Sequence, residues 1–285
     1  MLKLSNKEDI GLAALIGALT HPRFELVPIR GVEEQAAYLP PGAKVTVTCS
    51  PTRGIENTLA VAEQLSKQDL QVVPHISARL VADTAHLKDI LQRVADLNLR
   101  EIFVIGGDAK EPVGAFAGAL DLLRAMAELG HNVGEIGVAA YPEHHPLVDD
   151  ETLRQALREK QRFATYMVTQ ICFDARVITR WLGKMRQEGI QLPVYIGLPG
   201  AVDAKHLLRI SMKIGVGDSV RFLSKHISLA AGLFRHTGYQ LDELVDNLAP
   251  AVGDPRYKIL GLHLNTFNQV ENTERWRQHR LAALQ

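Results

Sequence analysis

Residues 101–108 read EIFVIGGD and join a short apolar run to two glycines and a carboxylate. The uninterrupted run 102–105 is typical of a strand that is buried on both faces, as in a parallel sheet. Gly106 and Gly107 let the backbone turn after this run, because glycine has no Cβ. Asp108 is therefore expected at the carboxyl end of a strand, where barrels of parallel strands carry their functional groups.

The same order of an apolar run, a polar or glycine-rich end and a helical segment recurs along the chain. This alternation predicts parallel strands with right-handed crossovers. Eight strands within about 250 residues are typical of a (β/α)8 TIM barrel. The predicted strands are 23–28, 44–51, 71–79, 101–105, 135–142, 166–173, 193–200 and 257–267, and the predicted helices between or after them are 54–68, 83–97, 115–129, 150–163, 174–188 and 270–283.

Two further segments complete the predicted architecture. Residues 1–20 form a lead-in helix, and residues 201–255 form a helical insertion before the last strand, so that 1–285 is expected to be a single domain. A doubly wound open sheet is the alternative. It would be expected to carry a glycine-rich fingerprint after its first strand, and RFELVPIRG at 23–31 contains none.

Composition limits the classes of partner. Lys and Arg together number 32 and equal Asp and Glu, so the net charge is zero and provides no general attraction for nucleic acid or an anionic membrane. No apolar run reaches the roughly 18–20 residues of a membrane span, and the N-terminus lacks a signal-like apolar segment. Cys49 and Cys172 lie in apolar runs, which is typical of reduced thiols. A soluble, cytoplasmic protein is expected.

Several polar residues stand in the second halves of the predicted strands. Glu25 is flanked by Phe24 and Leu26, and a carboxylate buried there is costly unless it is paired or functional. Burial is expected to raise the pKa of Glu25 and to make it a candidate proton donor. The other residues of this kind are Thr46, Thr48, His75, Asp108, Tyr141, Glu143, His145, Gln170, Asn265 and Asn268.

For each of these residues a structural role competes with the functional one. Asp108 is either a ligand contact or a cap, and His75 is either functional or a satisfied buried histidine. Gln170 offers an amide suited to the edge of a heterocycle, or it is a core amide. The segment AYPEHHP at 140–146 places two histidines near a glutamate, but it has no metal-ligand spacing, so no metal site is predicted.

The order of these motifs resembles the methylenetetrahydrofolate reductase family. The resemblance covers about residues 23–200, with a looser similarity at 257–268. No single motif is specific, but the six occur in the right order on successive strands. They are FE-x-x-P, VTVT, PH, GD, AYPE-x-HP and TQ-x-x-F.

The resemblance implies a flavin-containing barrel that uses NAD(P)H to interconvert 5,10-methylenetetrahydrofolate and 5-methyltetrahydrofolate. It places Glu25 at the family's general acid and Asp108 beside the flavin and the pterin. It places Gln170 and Asn268 at substrate-binding positions. The positions implied to contact FAD are Thr48, His75, Gly107, Asp108, Phe116, Ala117, Tyr141, His145 and Lys160.

This chain also departs from the family pattern. The usual FEFFPP reads FELVPI here, and Gly106 replaces an arginine that helps to hold the flavin. In the helix after the fifth strand, the Asp, Asn and Arg positions are Leu153, Ala156 and Glu159, and only Lys160 is retained. Near the C-terminus, FNQ at 267–269 lacks another arginine. Each lost charge-assisted contact is worth roughly 1.5–3 kcal/mol.

Two interpretations of the cofactor follow. FAD is bound through altered contacts, with Arg154, Arg158 or Arg162 as substitutes, or hydride passes directly from NAD(P)H to the folate. Two alternatives lack redox chemistry: a folate-binding methyl-transfer protein and a non-catalytic folate-binding barrel. The direction of the reaction is open. A homo-oligomeric contact, if one forms, is expected on 201–255 and on the C-terminal helix that carries Trp276.

Overall fold

A computed structural model describes residues 6–143, 145, 148–202 and 241–285. Its strands are β1 (Arg23–Leu26), β2 (Lys44–Val47), β3 (Gln71–Ser77), β4 (Glu101–Ile105), β5 (Glu135–Ala140), β6 (Tyr166–Thr169), β7 (Val194–Pro199) and β8 (Ile259–Asn265). Its α-helices are α1 (Asn6–Thr20), α2 (Val32–Ala36), α3 (Gly54–Ser66), α4 (Thr84–Asp96), α5 (Ala119–Leu129), α6 (Asp150–Lys160), α7 (Ala175–Gln187), α8 (Leu241–Val252) and α9 (Val270–Leu284). Short 3-10 turns lie at Ala78–Leu80 and Pro255–Tyr257.

The eight strands form a closed, all-parallel barrel in chain order, and β8 pairs with β1 to close it. The prediction of a (β/α)8 TIM barrel is confirmed. The predicted lead-in helix corresponds to α1, and α8 confirms the last part of the predicted 201–255 insertion. Residues 203–240 lie outside the described residues, and the assignment of 1–285 to a single domain stays a prediction.

Alternation along the strands separates two apolar clusters. Phe24 and Leu26 of β1 are 1% and 0% exposed and pack outward against the helices in the main core. The inward positions of other strands form a second cluster inside the barrel, which includes Phe103, Tyr166 and Val168. Parallel strands buried on both faces explain why the strand sequences are almost continuously apolar.

The boundaries of several elements differ from the predicted ones. The helix predicted at 115–129 begins at Ala119, because the preceding residues 106–118 form a loop. Helix α2 was not predicted; it is only five residues long and lies in a segment predicted as a connection. Asp83 caps α4 by accepting a hydrogen bond from the His86 backbone amide. Gly130 and Gly189 follow the ends of α5 and α7 with φ angles of 71° and 82°.

A buried ionic cluster closes the amino-terminal end of the barrel. The Arg23 guanidinium lies 4.2 Å and 3.9 Å from the ring centroids of Tyr166 and Tyr195. It donates to Glu101 and to the Tyr166 hydroxyl, and Lys44 Nζ lies 2.7 Å from Glu101 Oε2. This basal cluster fills the floor of the barrel and leaves its carboxyl-terminal end as the end suited to function.

We expect Glu101→Gln to lower the free energy of unfolding by about 3 kcal/mol, because it leaves the buried Arg23 guanidinium without its carboxylate. Urea unfolding at neutral pH measures the change. Arg256→Ala is the matched control, since Arg256 is 80% exposed in its pair with Asp254 and exposed pairs contribute little. Equal stability losses in the two variants would contradict the structural role of the basal cluster.

Candidate active site

The central feature of the barrel interior is a carboxylate–imidazole cluster formed by Glu25, His75 and His263. Glu25 Oε2 lies 3.2 Å from His263 Nε2 and 4.0 Å from His75 Nε2. The side chains of His263 and His75 are 3% and 7% exposed, respectively, whereas the Glu25 side chain is 20% exposed. Glu25 is therefore the member of the cluster that reaches the open space of the barrel.

The pKa of Glu25 is shifted in the opposite direction to the predicted one. Burial acts to raise it, but the hydrogen bond with His263 and the electrostatic interactions with His263 and His75 together outweigh burial, so the pKa lies below the ordinary value. The prediction of a raised pKa was wrong, because it considered the apolar neighbours on β1 and no partner from another strand. Glu25 is thus predominantly a carboxylate at neutral pH.

His263 was not among the predicted site residues. It lies at an inward position of β8, and the pairing of β8 with β1 sets it opposite Arg23, next to Glu25. In the described part of the chain, its Nδ1 is buried and has no hydrogen-bond partner. Its Nε2 faces the Glu25 carboxylate, so an N–H on this nitrogen can donate to Glu25. The sequence signal that could have identified His263 is its position as a lone histidine in the apolar run GLHLN at 261–265.

His75 is the second imidazole of the cluster and has a different environment. Its ring lies 4.7 Å from that of Phe103, and its Nε2 has no hydrogen-bond partner among the described residues. Burial lowers the pKa of His75 to about 4, although the charge of Glu25 acts to raise it. His75 is therefore neutral at physiological pH.

The turn after β4 presents Asp108 at the carboxyl end of the barrel, as predicted. Gly107 has a φ angle of 93°, and a Cβ at this position would lie 1.9 Å from Ser77 Oγ. Only glycine combines this backbone conformation with such a close approach. The Asp108 side chain remains exposed beyond this turn.

Arg79 holds the loop that follows this turn. Its Nη1 donates to the carbonyl oxygens of Ala109 and Lys110, and its Nε donates to that of Ala117, at 2.8–2.9 Å. Of the two predicted cofactor contacts in this loop, Phe116 is 7% exposed within the main core, and Ala117 is at the surface. Arg79 was missed, because an arginine after a strand carries no signal for a contact about 30 residues later.

Tyr141 and His145 lie together near Asp108. Their ring centroids are 5.0 Å apart in an edge-to-face arrangement. Burial and then the charge of Asp108 raise the pKa of Tyr141 to about 12. Burial lowers the pKa of His145, while Asp108 acts to raise it. Three residues from two strand ends, those of β4 and β5, thus form one group at the barrel mouth.

Lys160 ends α6 and is a buried cation. It is 8% exposed, and its Nζ donates to the Ala139 carbonyl oxygen at 3.2 Å. Within the described residues it forms no salt bridge, and burial lowers its pKa to about 8. A largely protonated ammonium in this setting is suited to an anionic ligand.

The two predicted substrate-binding amides have different partners. Asn268 bonds both the N–H and the carbonyl of Val27 at 2.8 Å, so its amide is used to hold the end of β1. Gln170 Oε1 accepts from the Ile171 backbone amide, and Nε2 makes no hydrogen bond to the described residues. Gln170 therefore has a donor to offer, and the substrate role of Asn268 stays a prediction.

One position that departs from the family pattern, Glu159, has a partner on the neighbouring helix. Glu159 points toward α5 and forms a 2.6 Å ion pair with Arg124. Thr48 lies after β2, where its carbonyl accepts from Thr58 at 3.0 Å and its side chain is half-buried.

Cys49 and Cys172 are buried free thiols, as predicted. Among the described residues, no group of three potential metal ligands occurs, and no helix is long and apolar enough to cross a membrane.

We expect the low pKa of His75 to make stability depend on pH between about 4 and 6.5. In this range the unfolded chain binds a proton at His75 that the folded chain does not, so stability falls as the pH is lowered. The loss is roughly 3 kcal/mol at about 1.4 kcal/mol per pKa unit. Urea unfolding across this range should show a weaker dependence for His75→Gln than for the exposed control His279→Gln. Identical dependences of stability on pH in the two variants would contradict this role of His75.

Comparison with known proteins identifies the family to which this chain is similar. The family model for methylenetetrahydrofolate reductase matches residues 29–232. Methylenetetrahydrofolate reductase 1 of Schizosaccharomyces pombe is 29% identical over 116 residues, which cover 38% of this chain and 19% of that protein. The match thus spans about a fifth of the relative's length.

A crystal structure of 2,3-dimethylmalate lyase, a member of the PEP mutase/isocitrate lyase superfamily, is also similar. It is 10% identical, with a TM-score of 0.45 and coverage of 83% of this chain and 92% of that one. A similarity at this level carries no argument about function. The family model, in contrast, matches more than half of the chain, and the protein therefore belongs to the methylenetetrahydrofolate reductase family.

Proposed function

We propose that this chain is an oxidoreductase that interconverts 5,10-methylenetetrahydrofolate and 5-methyltetrahydrofolate with NAD(P)H. In the reductive direction, methylenetetrahydrofolate, NAD(P)H and one proton give methyltetrahydrofolate and NAD(P)+. The observation that carries the proposal is the position of Glu25, held by His263 where the resemblance expects the general acid. Both residues lie outside the matched stretch 29–232, so their pairing adds an observation to the family match, while the role of Glu25 comes from the resemblance.

Reduction of the methylene bridge first requires a proton on folate N10. Protonation opens the five-membered ring and leaves an iminium at N5, whose carbon accepts hydride. Glu25 is placed for this step, because it is the most exposed member of its cluster, at 20%, and its hydrogen bond to His263 fixes the carboxyl group. Since Glu25 is a carboxylate in the free protein, it must first take up a proton from solvent, to which this exposure gives access. His263 thereby orients the acid and influences its proton affinity, as the partner of a catalytic carboxylate does.

Two groups at the barrel mouth are suited to orient the folate. Gln170 Nε2 makes no hydrogen bond to the described residues and can donate to a pterin oxygen or ring nitrogen. Asp108 stands exposed at the end of β4 and can accept from pterin N–H groups. A neutral donor beside a carboxylate acceptor matches the mixed edge of a pterin.

The residues at the barrel mouth fit FAD in part. Tyr141, His145 and Lys160 are grouped around the ends of β5 and α6, and the buried Lys160 ammonium lacks an anionic partner within the described residues. These side chains, with Thr48 and His75, would hold the cofactor. The chemistry that FAD supplies when bound is hydride relay between the nicotinamide and the folate.

We expect Glu25→Gln to abolish methylenetetrahydrofolate-dependent NAD(P)H oxidation, with a loss of at least about 100-fold, because the amide cannot deliver a proton. Folate affinity, measured by calorimetry, should change little. Glu135→Gln is the matched control, since Glu135 begins β5 at the opposite end of the barrel and is 54% exposed. Retained turnover in Glu25→Gln would contradict the proposal. Folate binding without turnover in the wild type would favour a methyl-transfer or binding protein.

We expect the purified protein to bind FAD and to show the visible absorption bands of oxidised flavin. Titration of the protein with FAD, followed by gel filtration, measures the bound fraction. A colourless protein that binds no FAD would contradict the flavin part of the proposal. If that protein still oxidises NAD(P)H in the presence of methylenetetrahydrofolate, hydride passes directly from nicotinamide to folate.

A further inference from the structure

Residues 106–118 form the β4–α5 loop, which carries Asp108 and contains no helix or strand. In the described part of the chain, each hydrogen bond that the backbone of 107–117 makes has Arg79 as its partner. A loop that forms no hydrogen bonds within itself has many backbone conformations available, and ordering it is costly in entropy. Arg79, which lies outside the loop, is therefore its polar anchor.

Arg79 holds the β4–α5 loop through its backbone as well as its side chain. It lies in the 3-10 turn Ala78–Leu80, directly after β3. Besides the three side-chain bonds to loop carbonyls, its backbone amide donates to the Gly106 carbonyl at 3.1 Å, and its own carbonyl accepts from the Val113 amide at 2.9 Å. The side-chain bonds are charge-assisted and therefore stronger than ordinary hydrogen bonds. One residue thus joins both ends and the middle of the loop to the end of β3.

The β4–α5 loop also packs closely against the segment 77–82. A Cβ at Gly114 would lie 1.7 Å from the Ala82 carbonyl oxygen, and a Cβ at Gly107 would lie 1.9 Å from Ser77 Oγ. A side chain at either glycine would therefore force the loop away from this segment. The two glycines let the loop approach on either side of the arginine that holds it.

Arg79 lies beside a turn at which this chain departs from the family pattern. The resemblance expects an arginine at position 106, and this chain has Gly106 there. Arg79 reaches the same turn from the neighbouring strand, as its backbone bond to Gly106 shows. Its Nη1 and Nε are engaged by loop carbonyls, so this arginine acts on a ligand through the loop.

We propose that Arg79 is a positioning residue, which fixes the β4–α5 loop so that the Asp108 carboxylate is held ready for the pterin. The inference rests on the proposed function for the identity of this ligand. Asp108 directly precedes Ala109, whose carbonyl accepts from Arg79 at 2.8 Å, so the bond acts one residue away from the carboxylate. A group that is oriented before its ligand arrives adds less entropy cost to binding.

Steady-state kinetics separate positioning from a general loss of stability. Arg79→Met should raise KM for methylenetetrahydrofolate about tenfold, the usual effect of losing a charge-assisted hydrogen bond, and leave KM for NAD(P)H little changed. Arg186→Met is the matched control, because the Arg186 guanidinium also holds two backbone carbonyls, those of Ile190 and Tyr257, at 2.6–2.7 Å. These carbonyls precede β7 and β8 at the opposite end of the barrel, so the control should be less stable but keep both KM values.

The titration of His145 reports the location of the Asp108 carboxylate without any ligand. Burial lowers the pKa of His145, and the negative charge of Asp108 acts against that decrease. In Arg79→Met the pKa of His145 should fall toward its value in Asp108→Asn, because the released loop carries the carboxylate away. In Arg186→Met it should not change. Proton NMR measures the titration, and His145→Gln identifies the signal among the 11 histidines.

An unchanged KM for methylenetetrahydrofolate, or an unchanged pKa of His145, in Arg79→Met would overturn the inference. If Arg79→Met does not fold, Arg79→Lys replaces it, because lysine keeps the charge but lacks the planar fork that binds several carbonyls, and wild-type values in that variant would also overturn the inference. A wild type without folate-dependent NAD(P)H oxidation would contradict the proposed function alone. A pKa of His145 that falls in Arg79→Met would then still assign the positioning of Asp108 to Arg79.

Discussion

The pairing of β8 with β1 is the contact on which the active-site geometry depends. It closes the barrel and brings Glu25 beside His263, although the two residues are 238 positions apart in the chain. The same closure sets Thr266 to hold the Glu25 backbone carbonyl at 2.7 Å and Asn268 to hold Val27. Glu25 is thus held through both its backbone carbonyl and its side-chain carboxylate. A site assembled in this way forms only when the whole barrel has folded.

The barrel has polar groups at two levels with different roles. At its floor, the cations Arg23 and Lys44 both pair with Glu101, and Glu135 lies 3.9–4.0 Å from each of them, so the charges of the cluster balance. Toward its mouth, Glu25 is only partly satisfied, and the Lys160 ammonium lacks a carboxylate partner in the described structure. Unbalanced charge is costly to bury, and its concentration at one end of the barrel is what a ligand site at that end would require.

The strands and their order were predictable from sequence, because an all-parallel barrel imposes continuous apolar runs separated by helical segments. Glu25, Asp108, Tyr141 and His145 were predictable as strand-end polar residues, and their family roles came from resemblance. The direction of the Glu25 pKa shift was not predictable, since it depends on His263 from a distant strand. The loop held by Arg79 and the basal cluster were missed for the same reason: their partners are set by tertiary packing, which local periodicity does not encode.

In the proposed mechanism, His263 controls the proton on Glu25. The pH dependence of kcat/KM for methylenetetrahydrofolate, at saturating NAD(P)H, tests it in the wild type and in His263→Leu, with circular dichroism to verify folding. Leucine cannot donate a hydrogen bond, so burial would act on Glu25 with less opposition and raise its pKa. We predict that the decline of kcat/KM with rising pH moves to higher pH in the variant. Coincident pH profiles for the two proteins would contradict the claim.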